Sequence, residues 1–485
     1  MNPDPSPPQP ISPQAQQAPP AGNLEADLYQ FRPPERPSTM DERGRRMWVF
    51  PAEIQGPFMR WRRWTGWALI VIYLATPWIR IGGMQAVWLR IPERRFILFG
   101  HLFFPQDSFY LMFLLVGLAL GLFFFTALVG RVWCGWACPQ TVWMEEVFRK
   151  IEWLVEGDHH AQQRLDAAPW SAGKAARRVA KHALFLVFSA LVSNTFIAYF
   201  AGTENLLRWM MSPPSQHWTA FLFMAVILGV FYLDFAWFRE QFCTVVCPYA
   251  RFQAVLTDAD TTQVGYDTVR GEPRGRVGVA KGDCIDCHKC VAVCPTGIDI
   301  RDGYQLECIG CARCIDACDG IMDRVQKPRG LIRYDSLARL TGAGTHILRP
   351  RVIVYSVLLV GVVAALAFAL EVRSEADVTI FRPPGEPFVL LPGGVVSNHF
   401  SVRIINRGES DHAFRIALAG TPQAQLITAR NPMPVKAGEQ ERIEVFVNLA
   451  QDAVPTGKFP LTLQFYEGAD LVAEKATTFL APAGP

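Results

Sequence analysis

The chain has 485 residues, half of them hydrophobic, and a formal charge of only +3. Such a length suggests several domains. The apolar excess excludes an ordinary soluble enzyme, and so small a charge gives no reason to expect a nucleic-acid partner. All twelve cysteines fall in two kinds of short motif, which points to redox or metal chemistry rather than disulfide stapling.

Residues 1–38 are rich in Pro, Gln and Ala and lack apolar periodicity. They are expected to form a disordered tail. They also lack the cationic start and apolar core of a cleaved signal. Residues 39–240 read as a four-span membrane region. It opens on a basic, aromatic edge: Arg43, Arg45 and Arg46, then Arg60, Arg62 and Arg63 beside Trp61 and Trp64. A run of about 20 apolar residues can cross a bilayer. By that measure spans are expected at 65–80, 108–130, 183–201 and 218–238, with a fifth at 352–370. Met84 to Phe104 is interrupted by Arg90, Glu93, Arg94 and Arg95, and is expected to be interfacial, with a re-entrant segment as the alternative.

Basic residues set the orientation. The loop between the second and third spans carries Arg131, Arg149, Lys150, Arg164, Lys174, Arg177, Arg178 and Lys181, whereas the next loop carries only Arg208. The N-terminus and the long segment after the fourth span are therefore expected in the cytoplasm, and the C-terminus in a bacterial periplasm. The first outer loop, with Arg90, Arg94 and Arg95, runs against this rule.

The second span ends in W-C-G-W-A-C-P (Cys134, Cys138) and the fourth in F-C-T-V-V-C-P (Cys243, Cys247). Shifting the first hairpin by 109 residues, 243 minus 134, brings the two Cys-x3-Cys-Pro motifs into register. This weak internal repeat would set four thiols at matching depth. If the helices continue through them, cysteines at i and i+4 share a face. One buried cysteine is often a small hydrophobe, but two such pairs favour a soft metal or a redox role. A further cluster, copper and a dithiol/disulfide pair all stay open. After the first motif, Val142, Val147, Ile151 and Leu154 share one face, with Glu145–Arg149 and Glu146–Lys150 at i,i+4. This segment is expected to be an amphipathic helix on the inner membrane surface.

Residues 241–345 hold the strongest signal. Cys284, Cys287, Cys290 and Cys294 form a Cys-x2-Cys-x2-Cys-x3-Cys run, and Cys308, Cys311, Cys314 and Cys318 form another. This is the bacterial ferredoxin spacing, in which the fourth cysteine of each run ligates the other cluster. One 4Fe–4S cluster is thus expected on Cys284, Cys287, Cys290 and Cys318, and a second on Cys308, Cys311, Cys314 and Cys294. Zinc usually takes paired Cys-x2-Cys units, and disulfides need an oxidising compartment. Pro295 follows the first run, but Asp319 follows the second.

Residues 346–371 contain the fifth span. Residues 372–485 change character: HFSVRII, HAFRIAL, ERIEVFV and FPLTLQFY alternate between turn residues. Seven or eight short strands suggest an immunoglobulin-like sandwich with a structural or partner-binding role. The nine histidines are scattered, which disfavours haem; His159, His160 and His288 read as surface residues, and Asp234 and Asn194 as polar groups within spans. No Gly-rich nucleotide loop is present, so electrons are expected from a separate cytoplasmic donor, which the sequence does not identify.

The fold class is a multi-domain integral membrane protein: an α-helical membrane domain of about five spans, a ferredoxin-like double 4Fe–4S domain and a C-terminal all-β immunoglobulin-like domain. From about residue 40 onward this combination resembles the cytochrome c oxidase accessory protein family of the CcoG/FixG/RdxA type. The specific features are W-C-G-W-A-C-P-Q-T, C-T-V-V-C-P-Y-A-R-F-Q and N-H-F-S-V-R-I-I-N, from Asn398 to Asn406. The resemblance implies an inner-membrane protein that assembles cbb3-type oxidase by reducing Cu(II) to Cu(I). Its partners would be copper and the oxidase subunits or copper chaperones. It also implies cluster ligation by the eight ferredoxin-type cysteines, and equates Cys134, Cys138, Cys243 and Cys247 with the family's membrane cysteines. The Pro/Gln tail is outside the family pattern. A quinol dehydrogenase module and a non-enzymatic assembly scaffold are the rival readings.

Overall fold

The computed structural model describes residues 38–482 apart from 42, 105–106, 277–280, 373–375, 408–409, 421–422 and 454–456. The expected tail therefore lies outside the described residues but for Ser38. The chain forms two compact units, Met1–Ile79 with Gly117–Val360, and Arg80–Val116 with Gly361–Pro485.

Among the described residues, four helices are long and apolar enough to cross a membrane: Phe109–Val129, Ala172–Ala201, Trp218–Phe238 and Pro350–Glu371. The stretch expected as the first span is helical as well, but from Pro57 to Ala75. Its opening turns carry Arg60, Arg62 and Arg63, so it falls outside that set of four. Arg62 is buried and donates through Nε to the Gly135 carbonyl at 2.7 Å.

The segment expected on the membrane surface is instead buried on both faces. It runs as helix Pro139–Trp143, a π turn at Met144–Phe148 and helix Arg149–Glu156. Its apolar face packs Phe148 against Phe185 and Phe235 with centroids 5.0 and 4.2 Å apart. Its charged face is covered too, because Glu145, Arg149, Glu152 and Glu156 find buried partners. Glu145 forms an ion pair with Arg149 at 2.7 Å and accepts from Arg313 at 2.5 Å. Arg239 grips Glu152 with two bonds of 2.7 and 2.8 Å, the bidentate geometry that guanidinium favours. The expected Glu145–Arg149 and Glu146–Lys150 pairs both form. Leu154, assigned to the apolar face, is 81% exposed.

Behind the ferredoxin loops, strands Thr262–Tyr266 and Ile332–Ser336 pair antiparallel. Val264, Tyr266, Ile300, Ile315, Met322 and Ile332 form the small core there.

In the second unit, Met84–Phe104 folds as β-structure. It contributes strands Met84–Gln85, Val87–Arg90, Arg95–Leu98 and His101–Phe103, paired antiparallel in two small sheets. The charges at Arg90, Glu93, Arg94 and Arg95 mark a hairpin turn. Arg407 of the sandwich holds Asp107 at 2.8 Å. The C-terminal part is an antiparallel sandwich. One sheet runs 425–428, 440–450, 395–406, 376–381, with 389–391 also on 395–406; the other runs 433–435, 412–419, 458–467, 470–480. All four expected alternating runs are strands. In Gln440–Ala450 the inward residues are Ile443, Val445, Val447 and Leu449, the period of two that a strand imposes. Asn398 and Asn406, which bracket the N-H-F-S-V-R-I-I-N run, are fully buried. Asn398 donates to the Leu480 carbonyl at 2.7 Å and accepts from its N–H at 2.9 Å, tying the two sheets together.

Candidate redox site

Both ferredoxin loops turn through left-handed backbone at matching places. Asp286 and His288 have φ of 54° and 53°; Gly310 and Ala312 have 65° and 60°. Such conformations cost a non-glycine residue about 1 kcal/mol and aim successive amides into the concavity. Each loop then enters a helix, Lys289–Ala292 or Arg313–Arg324.

Two separate cavities result. One is lined by Cys284, Cys287, Cys290 and Cys318, the other by Cys294, Cys308, Cys311 and Cys314, with Cys290 reaching the edge of this second cavity too. The rest of the linings are mostly apolar, with Lys289 and Arg301 at the first and Arg313 at the second. No carboxylate lines either one among the described residues. Four thiols, an apolar wall and nearby cations suit an anionic iron–sulfur cubane. Among the described residues, no three His, Cys, Asp or Glu are drawn close enough to share one metal ion. Burial pushes the Cys290, Cys308 and Cys318 thiols up to about 12, so metal binding must displace their protons.

The two Cys-x3-Cys-Pro motifs share a local fold that differs from a continuous helix. Cys134 is in helix Val132–Trp136, and Cys138, extended at ψ 127°, caps helix Pro139–Trp143. Cys243 is in the π turn Phe242–Val246, and Cys247, at ψ 117°, caps helix Pro248–Leu256. The proline excludes helical backbone from the residue before it, so each pair is split across a break. The repeat extends further: Gly130 and Arg239, again 109 residues apart, both have positive φ, 57° and 55°. Arg239 is held there by Glu152.

The four thiols lie within electrostatic reach of one another, Cys134 of Cys138 and Cys247, and Cys243 of Cys138 and Cys134. Burial pushes Cys134 up to about 12 and raises Cys138 and Cys243 as well. His288 is exposed beside Asp286 and Arg301, and His159 stacks on His160. Asp234 accepts from Gln140 at 3.2 Å, and Asn194 bonds back to its own helix at Ala190.

Several residues around the site carried no sequence signal. Glu145, Arg62 and Arg313 sit together beneath the second loop. Trp136 and Tyr334, 198 positions apart, are hydrogen-bonded at 2.9 Å. Only the tryptophan between the paired cysteines hinted at the latter.

Three family profiles match this chain. One described as a 4Fe-4S dicluster domain covers residues 238–337, and one described as a 4Fe-4S binding domain covers 111–156 and 216–259. The third, an IG-like fold at the C-terminus of FixG, covers 366–482. That a single profile matches both Cys-x3-Cys-Pro hairpins supports the internal repeat. Nitrogen fixation protein FixG of Rhizobium meliloti (strain 1021) is 36% identical over 481 residues, 88% of this chain and 89% of its own. Proteins RdxA and RdxB of Cereibacter sphaeroides are 38% and 36% identical, over 84% and 80% of this chain and 90% and 85% of theirs. The crystal structure of a FixG-related protein from Vibrio parahaemolyticus covers 23% of this chain and 99% of its own, at 12% identity and a TM-score of 0.21.

Proposed function

Because the chain belongs to the FixG/RdxA family of iron–sulfur electron-transfer proteins, we propose that it is a membrane-bound cupric reductase that supplies Cu(I) to the assembly of a cbb3-type cytochrome c oxidase. The observation that carries the proposal is spatial: there are two cavities of four cysteines each, and repeat cysteines pack against the loop of one of them, Cys134 with Ile309 and Cys311 and Cys243 near Pro295 and Ile309. We assign Cys284, Cys287, Cys290 and Cys318 to one 4Fe–4S cluster and Cys308, Cys311, Cys314 and Cys294 to the other. When bound, such clusters supply one-electron reduction at potentials set by charge, hydrogen bonds and exposure.

The chain's own residues do the rest. Lys289, Arg301 and Arg313 offset negative charge at the two cavities, and the apolar linings exclude water. Cys134, Cys138, Cys243 and Cys247 would receive the substrate Cu(II). Each ion takes one electron, supplied by a cytoplasmic donor, and soft thiolates favour the Cu(I) product. The thiols of Cys134, Cys138 and Cys243, which burial keeps protonated when free, give up protons as copper arrives. Oxidase subunits or copper chaperones would accept the product.

Ser38 bonds to the Thr296 carbonyl, and the Ala52 N–H to that of Ala292. These bonds support a topology with the N-terminus and cluster region together in the cytoplasm of a bacterial inner membrane. The sandwich would then lie in the periplasm, past the apolar helix Pro350–Glu371.

The test uses anaerobically purified protein reduced with dithionite and freed of excess reductant. Cu(II) should reoxidise it, with one Cu(I) trapped by a chelator for every electron lost. Reoxidation by a quinone but not by Cu(II) would overturn the proposal.

A further inference from the structure

We propose that the quartet Cys308, Cys311, Cys314 and Cys294, and not the other, passes its electron to the acceptor bound at the repeat thiols, and that Gly135, Trp136 and Tyr334 join the two. This rests on the reading that both quartets hold clusters.

Backbone meets backbone at this junction. A Cβ on Gly135 would stand 2.6 Å from the Ile309 carbonyl oxygen and 2.8 Å from the Cys311 Cα and N. In the other direction, a Cβ on Gly310 would come within 3.1 to 3.3 Å of Arg131 and Val132 backbone atoms. The two loops therefore interlock through two glycines: at Gly135 there is no room for a side chain, and at Gly310 a Cβ would be tight and the left-handed φ of 65° itself favours glycine. Cys134 is buried in one apolar cluster with Ile309, Cys311 and Tyr249. The guanidinium of Arg131 donates to the carbonyls of Leu306 and Cys308. The indole N–H of Trp136, midway between Cys134 and Cys138, donates to the Tyr334 hydroxyl, which donates to the Gly310 carbonyl between Cys308 and Cys311.

The second half of the repeat faces the same quartet. Cys243 lines a small cavity with Pro295, Thr296 and Ile309, residues that flank Cys294 and Cys308. Neither Cys-x3-Cys-Pro motif lines the cavity of Cys284, Cys287, Cys290 and Cys318. Cys287, in that other quartet, is the one exposed cysteine of the twelve. Its side of the molecule is thus the entry for the donor's electron, and the Cys311 side the exit. One electron enters at Cys287 and one leaves per Cu(II) reduced; Trp136 and Tyr334 bridge the path as positioning residues without changing their own bonds.

The experiment is an anaerobic redox titration of the full-length protein followed by EPR, with Cys311→Ser and Cys287→Ser identifying the two signals. Tyr334→Phe should shift the potential of the signal that Cys311→Ser removes and leave the other in place. In stopped flow, Gly135→Ala should slow reoxidation by Cu(II) severalfold, because its Cβ must push the two loops apart. Reoxidation by ferricyanide, which meets the exposed Cys287 side, should keep its rate. Should Gly135→Ala fail to fold, Trp136→Phe gives the same comparison. A shift confined to the signal lost in Cys287→Ser, or equal slowing with both oxidants, overturns the inference. If wild-type protein is not reoxidised by Cu(II), the copper reading fails while the titration still decides this one.

Discussion

Replacing Glu145 by Gln should destabilise the junction between the first Cys-x3-Cys-Pro hairpin and the ferredoxin loops by about 3 kcal/mol at pH 7. Glu145 is buried among Arg149 at 2.7 Å, Arg313 at 2.5 Å and Arg62 at 3.9 Å. Burial alone would raise its pKa, but the three guanidiniums outweigh burial and bring it from 4.5 to about 2. At about 1.4 kcal/mol per pH unit that drop amounts to about 3 kcal/mol, consistent with the roughly 3–5 kcal/mol cost of breaking a buried ion pair. Glutamine keeps the shape and removes the charge, leaving three buried cations with too little compensation. The assay is urea unfolding in detergent, followed by far-UV circular dichroism, of wild type and Glu145→Gln from pH 7 downward. A depressed carboxylate contributes fully above its unfolded pKa of about 4.5 and loses that contribution as pH falls toward about 2. The gap between the two proteins should therefore be constant above pH 5 and close in acid. A gap below about 0.5 kcal/mol at pH 7, the scale of an inert surface change, would refute the reasoning. So would a gap that ignores acid.

Crossed ligation predicts that Cys318→Ser removes the same EPR signal as Cys284→Ser, and Cys294→Ser the same as Cys308→Ser, each halving iron from roughly eight per chain. Cys134→Ser combined with Cys243→Ser should keep iron content and EPR signals while abolishing chelator-trapped Cu(I). Loading of iron and sulfide into cluster-free protein should accelerate from pH 7 to pH 9, because thiols pushed up to about 12 must lose protons to bind. Asn398→Ala strands the Leu480 N–H and carbonyl between the sheets. It should cost about 2 kcal/mol, seen as faster limited proteolysis of the sandwich.

The parts legible in the sequence were those fixed by local period and spacing. The apolar runs, the strand alternation at residues 441–447 and the cysteine spacing each depend on near neighbours. The Cys-x3-Cys-Pro repeat was visible for the same reason, although the split between its cysteines was missed; the proline after each pair carried that information. Glu145 and Arg149 misled because charge along one helical face ordinarily faces water. Here Arg313, 168 positions from Glu145, covers it. The strands of Met84–Phe104 gave no signal because they are too short to show a period. Gly135 gave no signal, because what forbids its side chain is a carbonyl from residue 309.

The fit of residues 131–135 against 309–311 also constrains how the protein matures. Once that fit is made, Cys311 and Cys134 are both buried, with 8% and 9% of their surface exposed. The ferredoxin segment is translated after the hairpin it seats upon. Cluster insertion at this quartet should therefore be faster before the two segments seat than after.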